Sequence, residues 1–228
     1  MVDYREFKLS KLNSPEFSHL KYLLFWPVYG LVFMLLERFL TLDYTFVHCA
    51  MDDVIPFIEY FIVPYLFWFV YLVGMILYTL LFDTKSFVYL MRLIIITCSA
   101  ACIAYVVFPT AQNLRPAMFA RDNVFTDIVK AFYAFDTNTN VCPSVHVSAS
   151  VVVMMASWNS KHFSKRAYRI AFLTATTLIC LSTVFIKQHS VIDVVCGIIV
   201  CLAAEIIIRA VDGYKARKYN RENKKALL

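Results

Sequence analysis

Two histidines stand where long apolar runs end: His146 in Cys-Pro-Ser-Val-His (142 to 146) and His189 in Lys-Gln-His-Ser-Val-Ile-Asp (187 to 193). An ionisable ring beside hydrocarbon is costly and marks a functional site by default. His189 and Asp193 carry the sharper signal. Their i, i+4 spacing puts both side chains on one helix face, so the carboxylate can accept the proton of one ring nitrogen and leave the other basic and aimed, as nucleophiles and bases require. Arg115, followed by Pro116, brings a planar fork of donors suited to a phosphate. The start of the segment at Ser144 and His146 brings free backbone N–H groups and a positive dipole end. Together these residues fit one substrate, a phosphate attacked by one imidazole while a second protonates the leaving oxygen.

The bland alternatives are a helix cap for His146, a structural hydrogen-bonded pair for His189 and Asp193, a solvated Arg115, and a Lys187 that snorkels to an interface. Each is reasonable alone. Their coincidence at one face of a membrane is what argues against them.

The elements that must hold these groups are set by composition. Of 228 residues, 61% are hydrophobic, 16% aromatic and 17% charged, which excludes an ordinary soluble domain and predicts an all-α, polytopic membrane protein. About 20 apolar residues cross the hydrocarbon core as a helix, and six such spans can be placed: 22–39, 58–82, 89–108, 144–158, and two more within 168–211, divided at Lys187, Gln188 and His189. Residues 1–21 read as a polar cytoplasmic segment without a signal-peptide pattern, 22–211 as one membrane catalytic domain, and 212–228 as a basic tail.

Basic residues orient the spans. Seventeen of the 22 Lys and Arg fall in 5–21, 85–92, 161–169 and 209–225; Arg38, Arg115, Arg121, Lys130 and Lys187 are the remainder. Both termini are therefore expected in the cytoplasm, with the loops 40–57, 109–143 and 187–189 on the far side together with all the candidate residues. The tail from Lys215 to Lys225 reads as a solvated end attracted to anionic lipid, not a nucleic-acid site. The aromatic residues Tyr60, Tyr65, Trp68 and Tyr71 read as interfacial anchors and lipid-facing bulk. The acidic residues Asp43, Asp52, Asp53 and Glu59 read as a solvated outer loop, with orientation of Arg115 or capture of a cationic or hydroxyl-rich headgroup as the functional alternatives.

Three segments resemble the signature of the phosphatidic acid phosphatase type-two and haloperoxidase superfamily, Lys-x6-Arg-Pro, Pro-Ser-Gly-His and Ser-Arg-x5-His-x3-Asp. Here they stand as Leu114-Arg115-Pro116, Pro143-Ser144-Val145-His146, and Ser182-Thr183 followed after five residues by His189 and then Asp193. The resemblance spans roughly residues 58 to 211. It implies that His189 is a nucleophile forming a phosphohistidine, that Asp193 fixes its tautomer, that His146 is the general acid, and that Arg115 and Ser144 bind phosphate, with no metal or other cofactor. Phe108 stands where the pattern has Lys, Thr183 where it has Arg, and Val145 where it has Gly. Lys187 is the expected replacement for part of the lost charge. The run Thr-Val-Phe-Ile-Lys-Gln-His is similar to the branch of inositol phosphorylceramide and sphingomyelin synthases.

The expected function is hydrolysis of a lipid phosphomonoester or pyrophosphate at an extracytoplasmic site, in a bacterial plasma membrane or at the lumenal side of an endomembrane. Transfer of a phospho-headgroup to a lipid alcohol is the alternative within that chemistry. A non-catalytic lipid-binding or transport protein is the alternative outside it.

Overall fold

The computed structural model describes residues 2–39 and 43–226. Eight α-helices follow one another: α1 (Phe25–Phe39), α2 (Ala50–Val54), α3 (Ile62–Phe82), α4 (Thr84–Val107), α5 (Val124–Phe135), α6 (Val145–Asn159), α7 (Arg166–Phe185) and α8 (Val191–Ala226). Short 3₁₀ turns precede them, including Ser18–Leu24, which runs directly into α1, and Glu59–Phe61, which runs into α3. The fold is all-α, as the composition predicted, and among the described residues five helical stretches are long and apolar enough to cross a membrane: Ser18–Arg38, Glu59–Phe82, Thr84–Val107, Arg166–Phe185 and Val191–Asn223.

The segment expected to be the fourth span is different. At 15 residues, α6 is about 22 Å long, shorter than the roughly 30 Å hydrocarbon core. It has no need to match lipid because α3, α4, α7 and α8 all pack against it, and Val147, Val152, Val153 and Ala156 are completely buried. A short central helix inside longer neighbours leaves its ends recessed. His146 stands in its first turn.

Polar residues start the helices where the chain must turn. Asp83 caps α4 by accepting from the Ser86 N–H at 3.1 Å, and Asn123 caps α5 through the N–H groups of Phe125 and Thr126, each satisfying donors that have no partner in the first turn. The segment 109–143, expected to be a loop, contains the amphipathic helix α5, which lays Val129, Phe125 and Phe132 against Tyr60, Tyr65 and their neighbours. Two residues of each outer segment form a parallel ladder, Thr45 with Thr110 and Phe46 with Ala111, which fastens the first outer segment to the second.

Contacts sort the loops into two ends. At one, Tyr4 donates to the Leu80 carbonyl, Ser160 to Asp83 and Arg92 to Asp212 through two bonds of 2.9 Å. At the other lie the segments 43–61, 109–144 and 186–190, with every candidate site residue. The basic segment after 211 continues α8 as helix rather than forming a separate tail.

Candidate active site

His189 is placed by a five-residue turn between α7 and α8 that is held from three directions. Its N–H and that of Gln188 both donate to the Thr183 carbonyl, at 3.0 and 2.9 Å. Lys187 adopts a left-handed conformation with φ of 56°, an unfavourable choice for a non-glycine residue that neighbouring contacts must hold in place. Gln112, completely buried, donates to the Lys187 carbonyl at 3.1 Å, and the Tyr133 hydroxyl donates to the Ile186 carbonyl.

Within this turn the expected pairing forms. His189 Nδ1 lies 3.2 Å from Asp193 Oδ2, and the same oxygen accepts from the Ser190 N–H at 2.9 Å. An ionised carboxylate only accepts, so the contact sets the proton on Nδ1 and leaves Nε2 as the basic nitrogen. Asp193 is completely buried and its Oδ1 has no hydrogen-bond partner among the described residues.

The His146 ring sits 6.0 Å from that of His189, centroid to centroid, at 57°. Tyr65 stacks on it at 4.5 Å and Trp68 tilts against it at 4.4 Å, while the Tyr65 hydroxyl is 3.5 Å from Nδ1. Nε2 of His146 is shielded from water and, among the described residues, has no hydrogen-bond partner. Tyr65 and Trp68 are thus not lipid-facing anchors: Tyr65 is completely buried and fixes the ring plane of a candidate acid. Tyr71, also buried, bonds Thr176 at 3.0 Å, and of the four aromatic residues only Tyr60 faces outward.

Both histidines line a cavity of about 230 Å³, walled by aromatic residues of α1, α3 and α5 and by the polar groups of Glu37, Asp136, Asn140 and Gln188. Arg115 stands behind this wall. Its guanidinium lies over the Tyr133 ring, 4.4 Å from the centroid, and donates to Gln188 Oε1 at 2.7 and 3.0 Å and to the carbonyls of Tyr133, Asp136 and Thr137 at 3.1, 2.9 and 2.8 Å. Gln188 in turn donates to Asp136 Oδ2 at 2.9 Å. Burial pushes the Asp136 carboxyl above the usual carboxylate range, with His189 and Arg115 drawing it partly back.

The remaining two candidates turn away from the cavity. Ser144 is the N-cap of α6: its Oγ accepts from the Val147 N–H at 3.4 Å and its own N–H donates to the Asp193 carbonyl at 3.2 Å. Lys187 points its ammonium at the carbonyls of Asp52 and Ile55, at 2.6 Å each, and burial pulls it below the ordinary lysine value. It ties the turn to the first outer segment instead of replacing a missing phosphate ligand.

That segment supplies a residue that the sequence reading passed over as solvated. Asp52 is 2% exposed. It accepts from the Ser190 hydroxyl at 2.6 Å, the Val191 N–H at 2.9 Å and the Cys49 N–H at 2.8 Å, capping the start of α8 from another part of the chain. Burial pushes its carboxyl up, but these donors outweigh it and hold the carboxyl below the usual range. Glu59 is equally buried and accepts from Arg121 and Asn123. The partners that bury each residue, Ser190 and Val191 for Asp52 and Arg121 and Asn123 for Glu59, are distant in sequence, so no local pattern marks either role.

The fold and the paired imidazoles define an apolar helical protein with two histidines lining one cavity at one end of its bundle. The sequence profile of the PAP2 superfamily matches residues 89–217, and the chain belongs to that superfamily. Neither a curated protein nor a solved structure matches it at a significant level. Members of the superfamily are phosphatases and phosphotransferases, so an enzyme of that general type is supported here.

Proposed function

We propose that this protein is an integral membrane enzyme that cleaves a lipid phosphoester through a phosphohistidine on His189, at the extracytoplasmic end of the bundle. The observation that carries this reading is a His189 braced at Nδ1 by Asp193 and facing a second imidazole, 6.0 Å away, across a lined cavity. The distribution of Lys and Arg, most of which fall at the opposite end, supports reading this end as the one away from the cytoplasm.

Nε2 of His189 attacks phosphorus, and Asp193 holds the ring as its charge grows. His146 delivers a proton to the departing alcohol oxygen from Nε2, then takes one from the incoming acceptor as the N–P bond breaks. Arg115 supplies positive charge behind the cavity wall and fixes Gln188 in that wall. The water-poor, aromatic surroundings strengthen each of these interactions relative to solution.

Water as acceptor gives a lipid phosphatase; a lipid alcohol as acceptor gives a transferase with the same first half-reaction. Purified protein incubated with labelled phospholipids and prenyl phosphates, with and without ceramide or diacylglycerol, separates these by product: free phosphate or a released phosphorylated headgroup for the hydrolase, a new phospholipid for the transferase. An acid-labile label on the protein, lost in His189→Ala, is expected in either case. Absence of turnover and of label with every lipid would instead favour a binding or transport protein.

A further inference from the structure

A second cavity, of about 670 Å³, opens at the opposite end of the bundle, between residues 84–92 of α4 and 205–212 of α8. Its walls hold three cations, Lys85, Arg92 and Arg209, against two carboxylates, Glu205 and Asp212. Both carboxylates are already answered from within the protein. Asp212 accepts from the two terminal nitrogens of Arg92 at 2.9 Å each, and Glu205 accepts from the Tyr89 hydroxyl and from Arg209 Nε, each at 2.5 Å. Arg92 is thereby spent. Arg209 is not, because Glu205 holds only its Nε edge, and its terminal nitrogens make no hydrogen bond among the described residues. Lys85, in the same wall, has no ion pair or hydrogen bond among the described residues either.

These donors suit an anion. One positive charge is in excess, and the unmatched groups are an ammonium and the outer edge of a guanidinium, both of which phosphate oxygens accept. Glu205 does not compete with such a ligand, since it braces Arg209 from behind and leaves the outer edge presented. Val88 and Ile208 add apolar surface between the charged groups. From Thr84 to Arg92 α4 rises about 12 Å, more than the roughly 6 Å headgroup layer of one leaflet. The cleft is therefore deep enough to take a phosphate together with the glycerol and first acyl carbons attached to it, and its volume lies within the range of ligand sites.

We propose that this cleft binds the phosphate of an anionic lipid through Lys85 and the terminal nitrogens of Arg209. A soluble phosphate ester offers the same anion, and the test separates the two sources; the apolar surface favours the lipid. The site differs from the basic residues that follow Asp212 on α8. Those attract an anionic surface from a distance and without shape, whereas a lipid inside the cleft touches Val88 and is displaced when that space is filled. The assignment is independent of the chemistry at His189 and of which side of the membrane this end faces.

The test places the full-length protein in nanodiscs of phosphatidylcholine with a minor fraction of phosphatidylglycerol and counts the retained lipids by native mass spectrometry. Phosphatidylglycerol is expected to be enriched over its bulk share by about tenfold or more. Lys85→Gln and Arg209→Gln are each expected to lower the enrichment about fivefold, the effect of one cation beside an anionic headgroup. Val88→Phe, which fills the cleft without changing charge, is expected to lower it as well, and Lys218→Gln, further along α8, to leave it in place. Enrichment that survives Lys85→Gln and Val88→Phe, with thermal transitions preserved, would overturn the site. Equal losses in Lys218→Gln and Lys85→Gln would show attraction by overall charge alone and overturn it too. Lys85-dependent binding of soluble glycerol phosphate without enrichment of the lipid would overturn the lipid as the source. Each of these failures leaves the reading of His189 untouched.

Discussion

Asp52 and Ser190 are 138 positions apart in sequence, yet a carboxylate oxygen of one accepts the hydroxyl of the other at 2.6 Å. The same carboxylate takes the Val191 N–H, so the residue that follows the candidate nucleophile and the first helical residue after it are both held by the first outer segment. Asp52 is a positioning residue in this reading, and it never touches the cavity. Asp52→Ala is expected to lower kcat by about 100-fold with little change in KM, since a displacement near 1 Å is enough for such a loss. Asp52→Asn, which keeps one acceptor oxygen, is expected to recover part of it. A fall in KM-linked affinity with kcat intact would contradict the positioning role.

The same residue makes stability depend on acid. Hydrogen bonds to Ser190, Val191 and Cys49 hold the folded carboxyl below its ordinary value of 3.8 despite burial. A carboxyl depressed on folding contributes stability that is present above the unfolded value and disappears as pH falls through the folded one. The wild-type thermal transition in detergent is therefore expected to drop below about pH 4 more steeply than that of Asp52→Asn, and parallel curves would show that the bonds contribute nothing.

The two histidines are expected to separate by leaving group. His189→Ala removes the N–P bond and abolishes both turnover and label. His146→Gln is expected to slow lipid esters by about 10²- to 10⁴-fold, the usual range for losing a general acid, and to cost much less on a nitrophenyl ester whose alcohol departs without a proton. Equal losses on both substrates would remove His146 from the acid's role.

Arg115 is expected to tolerate no exchange for lysine. Its planar fork meets Gln188 and three carbonyls while stacking on Tyr133, and a single ammonium reproduces neither arrangement. The carbonyls of Tyr133 and Asp136 are partly buried and would lose a charged donor, which costs more than the loss of a neutral one. Arg115→Lys is expected to lower the thermal transition and activity together, and retention of both would show that charge alone suffices there.

Gly197 lies one turn beyond Asp193, where α8 passes the start of α6. A Cβ added there would stand 3.0 Å from the Ser144 carbonyl and 3.2 Å from Val147, so the helices must part. Gly197→Ala is expected to cost about 1–3 kcal/mol by overpacking and to reduce kcat, because the Ser144 N–H bond to the Asp193 carbonyl spans the same gap. The thermal transition and single-turnover rate measure these separately.

Much of the molecule was legible in the sequence. The apolar runs gave most of the long helices to within a few residues, though not α5 or the extension of α8 to Ala226, and the His-x3-Asp spacing gave the braced imidazole, because both are local patterns. The roles of Asp52, Tyr65 and Lys187 were not legible, for a shared reason. An acidic residue in a polar loop, a tyrosine in an apolar run and a lysine at a helix end have the same sequence appearance whether they face solvent, lipid or the interior. Their partners, Ser190, His146 and the Asp52 carbonyl, are 81 or more positions away, and only packing brings them together. The short α6 was read as a full crossing for a related reason, since hydropathy reports apolar character and not the neighbours that shield it.

The seating of His189 has a consequence for biogenesis. Its turn is locked by a segment between the first two long helices, its ring faces a histidine from the central helix, and a glutamate from α1 closes the far wall. A nascent chain with any of these passes still waiting to insert would hold a nucleophile without its frame. Catalysis should switch on only when the whole polypeptide has reached its final topology, so turnover would serve as a readout of completed membrane assembly.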